Sequence, residues 1–243
     1  MVLDRNRGGV YLSLGMAVIG MFGLFLFLTY YLQIVLGYSP VLTGVAFLPM
    51  VAGMITGSTQ IGARLMTRVP ARYLMAPGFL VASIGMFLLT HIGLDTSYPA
   101  LILPGLILMG LGMGTAFMPA MSLATHGVQP RDAGVASAMV NTSQQVGGAI
   151  GTALLNTIAA SATTSWLASH VTAAAAASPE AAKALQFQGM VHGFSTAIWV
   201  SFGILVAAAA VAFTFINAGR PGAAGAGAGE GAAKSDEVPV LVH

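Results

Sequence analysis

Residues 10–36 read VYLSLGMAVIGMFGLFLFLTYYLQIVL and contain no charged side chain. A helix of roughly 20 apolar residues crosses the hydrocarbon core of a bilayer, so this run is long enough to span a membrane. Asp4, Arg5 and Arg7 precede it, and the run lacks a small-residue cleavage site and is too long for the apolar core of a signal peptide. It therefore predicts a first membrane helix.

The composition of the whole chain agrees with this prediction. Of its 243 residues, 56% are hydrophobic and 7% are charged, whereas soluble domains carry about 25% charged residues. So few charges exclude a soluble enzyme, a disordered protein and a nucleic-acid binder, which needs a clustered basic face. The chain has no Cys, and no catalytic or metal-ligand motif stands out. We expect no enzyme activity, no metal and no cofactor.

Six stretches are apolar and long enough to span the membrane. They cover about residues 10–36, 40–65, 73–93, 99–124, 133–160 and 191–217. Pro49 interrupts the second. Residues 161–188 form the one sizeable loop, in which Ser178 and Pro179 predict the start of a short helix ending near Leu185. Residues 218–243 are rich in Gly and Ala and predict a disordered tail.

The basic residues predict the orientation. With six spans, eight of the 9 basic residues fall on the side that holds both termini, which the positive-inside rule places in the cytoplasm. They are Arg5, Arg7, Arg64, Arg68, Arg72, Arg131, Arg220 and Lys234, and only Lys183 lies on the other side. All 7 acidic residues lie in loops or tails. Since intramembrane carboxylates commonly mark proton pathways, any proton-coupling carboxylates are expected elsewhere.

The fifth predicted span carries a polar stripe. Its members recur at steps of three and four and occupy a face about 120° wide: Ser137, Asn141, Gln144, Gln145, Gly148, Thr152 and Asn156. Such a stripe is costly against lipid, so it must face protein or a water-filled cavity. Cavity lining and interhelical hydrogen bonding are both compatible with the pattern. We select Asn141, Gln144, Gln145 and Asn156 as cavity candidates.

Two other helices supply further candidates. On the first, Phe22, Thr29 and Gln33 share a face, and Gln33 is a cavity candidate, whereas Tyr30 and Tyr31 are predicted to be interfacial anchors. On the fourth, Met109 and Met113 suit an adaptable apolar cavity, although such a stripe also suits packing. Pairs of glycines four residues apart, such as Gly110 and Gly114, predict close helix packing. The third and sixth spans are almost wholly apolar and predict peripheral helices.

Three segments resemble a known family. YYLQIVLGYSPVLTGVAFLPM (30–50), GLGMGTAFMPAMSLAT (110–125) and especially RDAGVASAMVNTSQQVGGAIGTALLN (131–156) are similar to the second half of drug:proton antiporters of the major facilitator superfamily. The closest branch is the fourteen-helix multidrug efflux branch, in actinobacterial style. The resemblance extends from about Leu3 to Asn217. GARLMTRVPAR (62–72) resembles the cytoplasmic loop motif of the superfamily: Gly62, Arg68 and Arg72 match it, and Thr67 stands where an acid is usual.

The resemblance implies an all-α half-bundle of six membrane helices, built as a 3+3 inverted repeat. It implies that the first, second, fourth and fifth helices border a central cavity. It also implies a C-terminal half of a multidrug efflux antiporter in the bacterial plasma membrane, with the lipid bilayer and a drug-like small molecule as partners. The proton gradient would drive the complete transporter.

The first half of such a transporter, six to eight helices, is missing from this sequence. Either a separate N-terminal half or a second copy of the chain would complete the cavity. A non-transporting remnant or subunit is the alternative, and a uniporter or importer on the same scaffold is a third possibility. We expect that the chain alone does not couple transport to protons.

Overall fold

The computed structural model describes residues 5–125, 128–170 and 178–217, and these form helices and no strand. Six of the helices are long and apolar enough to cross a membrane. They are α1 (Arg5–Val35), α2 (Pro40–Met66), α3 (Arg72–Leu89), α4 (Tyr98–Thr125), α5 (Ala133–His170) and α6 (Pro179–Phe215). The all-helical fold with six candidate spans confirms the predicted fold class. The predicted tail, 218–243, lies outside the described residues.

Helix α2 is broken where the sequence places Pro49. Phe47 separates α-helical segments at Pro40–Ala46 and Leu48–Thr56, because a proline has no N–H to donate into the preceding turn. Three short π-helical turns also occur: at the end of α1 (Tyr31–Val35), within α2 (Gly57–Gly62) and at the start of α4 (Tyr98–Ile102). Such turns rotate the side chains that follow them and are frequent at functional sites.

The last two helices are longer than predicted. The fifth was expected to end near residue 160 and instead continues to His170, and the sixth begins at Pro179 rather than at residue 191. Ser178 does cap a helix, since its Oγ accepts a hydrogen bond from the Ala181 N–H at 3.1 Å. That helix does not stop near Leu185 and continues to Phe215, because no Pro follows Pro179 to break its hydrogen-bond ladder. Within the predicted loop at 161–188, residues 161–170 and 179–188 are therefore helical.

The helices pack as two exchanged triplets. The first triplet is α1, α2 and α3, and the second is α4, α5 and α6. Helix α1 packs on α5 and α6 of the second triplet, and α4 packs on α2 and α3 of the first. Helices α3 and α6 also contact each other. The equivalent roles of α1 and α4 agree with the predicted 3+3 inverted repeat.

Glycines bring the backbones of α2 and α4 into contact. A Cβ on Gly53 would lie 2.7 Å from the carbonyl oxygen of Ile107, and a Cβ on Gly110 or Gly114 would collide with the backbone of Met50 or Met54. Small residues at four-residue spacing allow this close approach. The predicted glycine contacts are confirmed at this interface.

Tyrosines and arginines join the helix ends. At the end where α1 finishes, the Tyr31 hydroxyl donates to the Gly93 carbonyl at 2.5 Å and the Tyr98 hydroxyl donates to the Ala46 carbonyl at 2.6 Å. At the opposite end, where α1 begins and α6 finishes, Arg5 donates to the Thr214 carbonyl at 2.9 Å. We call this second end the terminal end of the bundle.

Candidate functional site

The polar stripe of α5 lies on the surface of the bundle. Asn141, Gln145 and Asn156 are exposed and Gln144 is half-buried. None of these four amide side chains has a hydrogen-bond partner among the residues that the structure describes. Thr152 is also exposed, and its hydroxyl donates to the Gly148 carbonyl of its own helix. Unpaired amides are costly in hydrocarbon, so this face requires water, a ligand or another protein surface.

Glycines on the neighbouring edge of α5 hold the stripe in this orientation. A Cβ on Gly147 would collide with the Gly15 carbonyl of α1, and a Cβ on Gly151 would lie 2.8 Å from the Cα of Ile19. The two backbones therefore touch, which leaves little freedom for α5 to rotate. The orientation of the polar stripe follows from the packing of α1 against α5.

A cavity of about 440 Å³ opens beside the stripe. Phe22, Phe25, Leu26, Thr29, Tyr30 and Gln33 of α1 and Thr152 of α5 line it. Its volume lies within the roughly 300–1,000 Å³ of small-molecule sites. The lining combines aromatic rings with a few polar groups, which is the usual chemistry of such sites.

The aromatic side of the cavity is held from two directions. The ring of Phe22 lies on α5, 3.2 Å from where a Cβ of Gly148 would be, so the ring fills the space that the glycine leaves. The ring of Phe25 stacks on Phe47 of α2, with centroids 4.8 Å apart. Helices α1, α2 and α5 thus meet at this site.

Gln33 lies at the rim of this cavity, within the π-helical turn at Tyr31–Val35. Its side chain is exposed. Its neighbours Tyr30 and Tyr31 were both predicted to be interfacial anchors. Tyr31 is instead 0% exposed, and its hydroxyl donates to the loop after α3. Tyr30 is 48% exposed and lines the cavity. The sequence could not distinguish the two tyrosines, because both lie near the end of the same apolar run, residues 10–36.

Met109 and Met113 lie elsewhere. They are 0% and 4% exposed and belong to the hydrophobic core. Helix α4 contacts α1, α2, α3 and α5, and these two methionines lie on its buried side. Both methionines lie away from the exposed stripe, in the buried position that the packing alternative predicts.

The residues of the loop motif form a separate group. Gly62 is buried and packs on Met118 of α4. A Cβ added at Gly62 would lie 3.3 Å from the Met118 Cβ. Arg68 is exposed. Arg72 donates to Asn217 Oδ1 at 3.1 Å and to the Tyr73 hydroxyl at 2.6 Å. Thr67 donates to the Arg64 carbonyl. Arg72 thus fastens the start of α3 to the end of α6.

The cavity includes residues that the sequence interpretation did not select, namely Phe25, Leu26 and Tyr30. Together with Phe22, Thr29 and Gln33 they follow the three- and four-residue steps of one helix face, so this spacing could have identified them. Among residues 5–125, 128–170 and 178–217, no three His, Asp or Glu side chains lie close enough to hold a metal ion.

Known proteins resemble the chain over most of its helices. The sequence profile of the Major Facilitator Superfamily matches residues 3–152. The puromycin resistance protein pur8 of Streptomyces alboniger is 49% identical over 218 residues, which are 89% of this chain and 42% of that protein. The cephamycin export protein CmcT of Amycolatopsis lactamdurans is 37% identical over 147 residues, 59% of this chain and 30% of that protein.

A multidrug resistance protein B homolog of Mycobacterium tuberculosis is 34% identical over 161 residues, 65% of this chain and 30% of that protein. The chain therefore spans less than half the length of these relatives. All three are named for resistance or export, and none for an enzymatic reaction.

Proposed function

The chain belongs to the Major Facilitator Superfamily, and on that premise we propose that it is the C-terminal half of a multidrug efflux proton antiporter. It is related to drug resistance and export proteins and is a multi-pass protein of the bacterial plasma membrane. The single observation that carries the proposal is the unpaired polar stripe of α5 beside the aromatic cavity of α1.

In this proposal the stripe and the cavity form one wall of a binding site for apolar or amphipathic compounds. Phe22, Phe25 and Tyr30 supply broad apolar contacts, and Gln33 and Gln145 supply donors and acceptors for a few polar groups. A partner bundle forms the opposite wall. Rocking of the two bundles around the site exposes it alternately to either side of the membrane.

Proton coupling would come from the partner bundle. Of the described carboxylates, Asp95 and Asp132 lie outside the six helices and Glu180 lies in the first turn of α6. None is placed at membrane depth, where a coupling carboxylate would act. Liposomes that contain only this chain should therefore show no drug flux driven by a pH gradient, and such a flux would refute this part of the proposal.

A chimera tests the transport role. Residues 3–217 of this chain replace the matching segment of the Streptomyces puromycin resistance protein, and growth of a sensitive host on puromycin is measured. We expect resistance, because the two sequences are 49% identical. Asn141→Leu in the chimera should remove most of it, and Thr157→Val, an exposed change on another side of α5, should not.

The chimera must be present in the membrane at the level of its parent, which a fluorescent fusion reports. A well-expressed chimera that gives no resistance would contradict the proposal. Unchanged puromycin resistance in the Asn141→Leu chimera would show that the stripe is not needed for transport.

The alternative is a non-transporting remnant or a subunit that needs a separate N-terminal half. The length ratio to the relatives motivates it, since the chain spans 42% of the puromycin resistance protein. The mass of the full chain in nanodiscs discriminates between the arrangements. A stable dimer supports a cavity closed by two copies, and a monomer supports a separate N-terminal half.

A further inference from the structure

An apolar groove of about 360 Å³ runs between α3 and α6 and shares no residue with the candidate site. The buried alanines Ala76 and Ala209 form its floor, and Leu80 and Val206 are exposed at its sides. In a membrane protein, a groove on the outer surface of two helices meets lipid chains. Lipid chains are as apolar as the groove, so the groove alone would not select one lipid over another.

The terminal end of the groove is polar. Tyr73 and Phe213 close it with their rings edge to face, at a centroid separation of 6.3 Å. The Arg72 guanidinium lies over both rings, 4.5 Å from the centroid of Tyr73 and 5.9 Å from that of Phe213. Its hydrogen bonds go to two neutral oxygens, on Asn217 and Tyr73. The positive charge of Arg72 is therefore held at the mouth of the groove.

A second cation lies at the same end of α6. The Arg5 guanidinium donates to the Thr214 carbonyl and lies 5.8 Å from the ring centroid of Phe215. Within the described ranges, the one carboxylate at the terminal end is Asp132, which lies 3.8 Å from Arg131. No described carboxylate neutralises Arg5 or Arg72.

We propose that this groove and the two arginines bind an anionic phospholipid of the leaflet at the terminal end. One acyl chain lies on Ala76 and Ala209, and the phosphate meets Arg72, with Arg5 beside it. Charge complementarity carries the choice of occupant: guanidinium–phosphate hydrogen bonds are charge-assisted, and basic pockets between membrane helices bind anionic headgroups. If the arginines only satisfied the carbonyl end of α6, the protein would show no lipid preference.

Native mass spectrometry of the full chain, titrated with phosphatidylglycerol or phosphatidylcholine, tests the proposal. Phosphatidylglycerol should bind more tightly. Arg72→Gln keeps a donor for Asn217 and removes the charge, and it should weaken phosphatidylglycerol binding about fivefold. Arg72→Lys should retain most of the binding. The matched control is Arg68→Gln, which removes an exposed cation from the same loop and should change nothing.

A second variant tests the groove itself. Ala210 is exposed at the groove, so Ala210→Trp fills the groove, leaves both arginines in place and should weaken phosphatidylglycerol binding. Inorganic phosphate at the same concentration should not displace the lipid. Thermal unfolding of each variant reports its folding, and Ala210→Trp decides the outcome if Arg72→Gln does not fold.

Three results would overturn the proposal. The first is equal binding of the two lipids. The second is an equal loss from Arg68→Gln and Arg72→Gln, which would indicate a diffuse surface charge. The third is unchanged binding in Ala210→Trp or full displacement by phosphate, which would indicate a phosphate site without an acyl chain.

Discussion

Helices α4 and α5 carry the same glycine spacing but differ in what surrounds it. On α4, Gly110 and Gly114 touch the backbone of α2, and the helix also packs on α1, α3 and α5. On α5, Gly147 and Gly151 touch α1, and the neighbouring edge of the helix carries unpaired amides at the surface. The same glycine spacing therefore packs α4 into the core and fixes the orientation of the exposed polar face of α5.

This difference separates stability from binding. Changes at the buried glycines of α4 should act on the free energy of unfolding, since their contacts are internal. Changes on the stripe of α5 should act on ligand binding and leave folding intact. Four substitutions, taken from the largest expected effect to the smallest, test this division.

Gly114→Leu should be the most damaging. Any side chain there collides with the backbone of Met54, which cannot move without separating α2 from α4, so the loss is about 3 kcal/mol or more. The measurement is the unfolding free energy in mixed micelles. The control is Gly203→Ala, since that glycine has no atom within 4 Å of an added Cβ, and it should be neutral or stabilising by up to about 1 kcal/mol. Equal effects of the two changes would show that α2 and α4 do not pack so closely.

Gln145→Leu should reduce binding of the transported compound about tenfold, because it removes one hydrogen-bonding group from the proposed wall. The assay is equilibrium binding of puromycin to the chimera described above. The unfolding free energy should stay within about 0.5 kcal/mol of the parent. A large loss of stability with unchanged binding would assign the stripe to helix packing.

Tyr98→Phe should cost about 1 kcal/mol of unfolding free energy, through loss of the hydrogen bond to the Ala46 carbonyl. This bond ties α4 to the break in α2. Tyr30→Phe is the matched control, because the Tyr30 ring lines the open cavity and its hydroxyl has no partner among the described residues. An equal loss of unfolding free energy in Tyr30→Phe would show that the cavity tyrosine contributes to stability as much as Tyr98 does.

Ile150→Ala should have the smallest effect on the chain by itself. Its side chain is 48% exposed on α5, and surface changes stay within about 0.5 kcal/mol. If a partner bundle covers this face, the same change should weaken their association, which co-purification of the two halves would measure. A large loss of stability in the isolated chain would mean that α5 is already covered.

The sequence predicted the features that depend on one helix at a time. Hydropathy located six spans, and periodicity found the stripe on α5. The ends of α5 and α6 were missed, because hydropathy reports the thickness of the membrane, whereas a helix continues until its hydrogen-bond ladder is broken. A helix of 38 residues is about 57 Å long, well beyond a hydrocarbon core of about 30 Å.

The features that depend on neighbours could not be predicted in this way. Met109 and Gln145 each lie on a regular helix face, and periodicity treats the two faces alike. Only the arrangement of the bundle shows that the face of α4 with Met109 is buried while the face of α5 with Gln145 is exposed. Tyr31 was misassigned for the same reason, since its hydrogen-bond acceptor, the Gly93 carbonyl, is distant in sequence.

The exchanged packing of the two triplets has a consequence for biosynthesis. Among the six helices, α1 is synthesised before the others, and the helices on which it mainly packs, α5 and α6, are synthesised last. Until they enter the bilayer, α1 has only its smaller contacts with α2, α4 and the loop after α3, and lipid or the insertion machinery must cover its main packing faces. Helices α2 and α3 wait only for α4. A chain stalled after Thr125 would contain an assembled unit of α2, α3 and α4 and a first helix without its two main packing partners, which quality-control proteases could recognise.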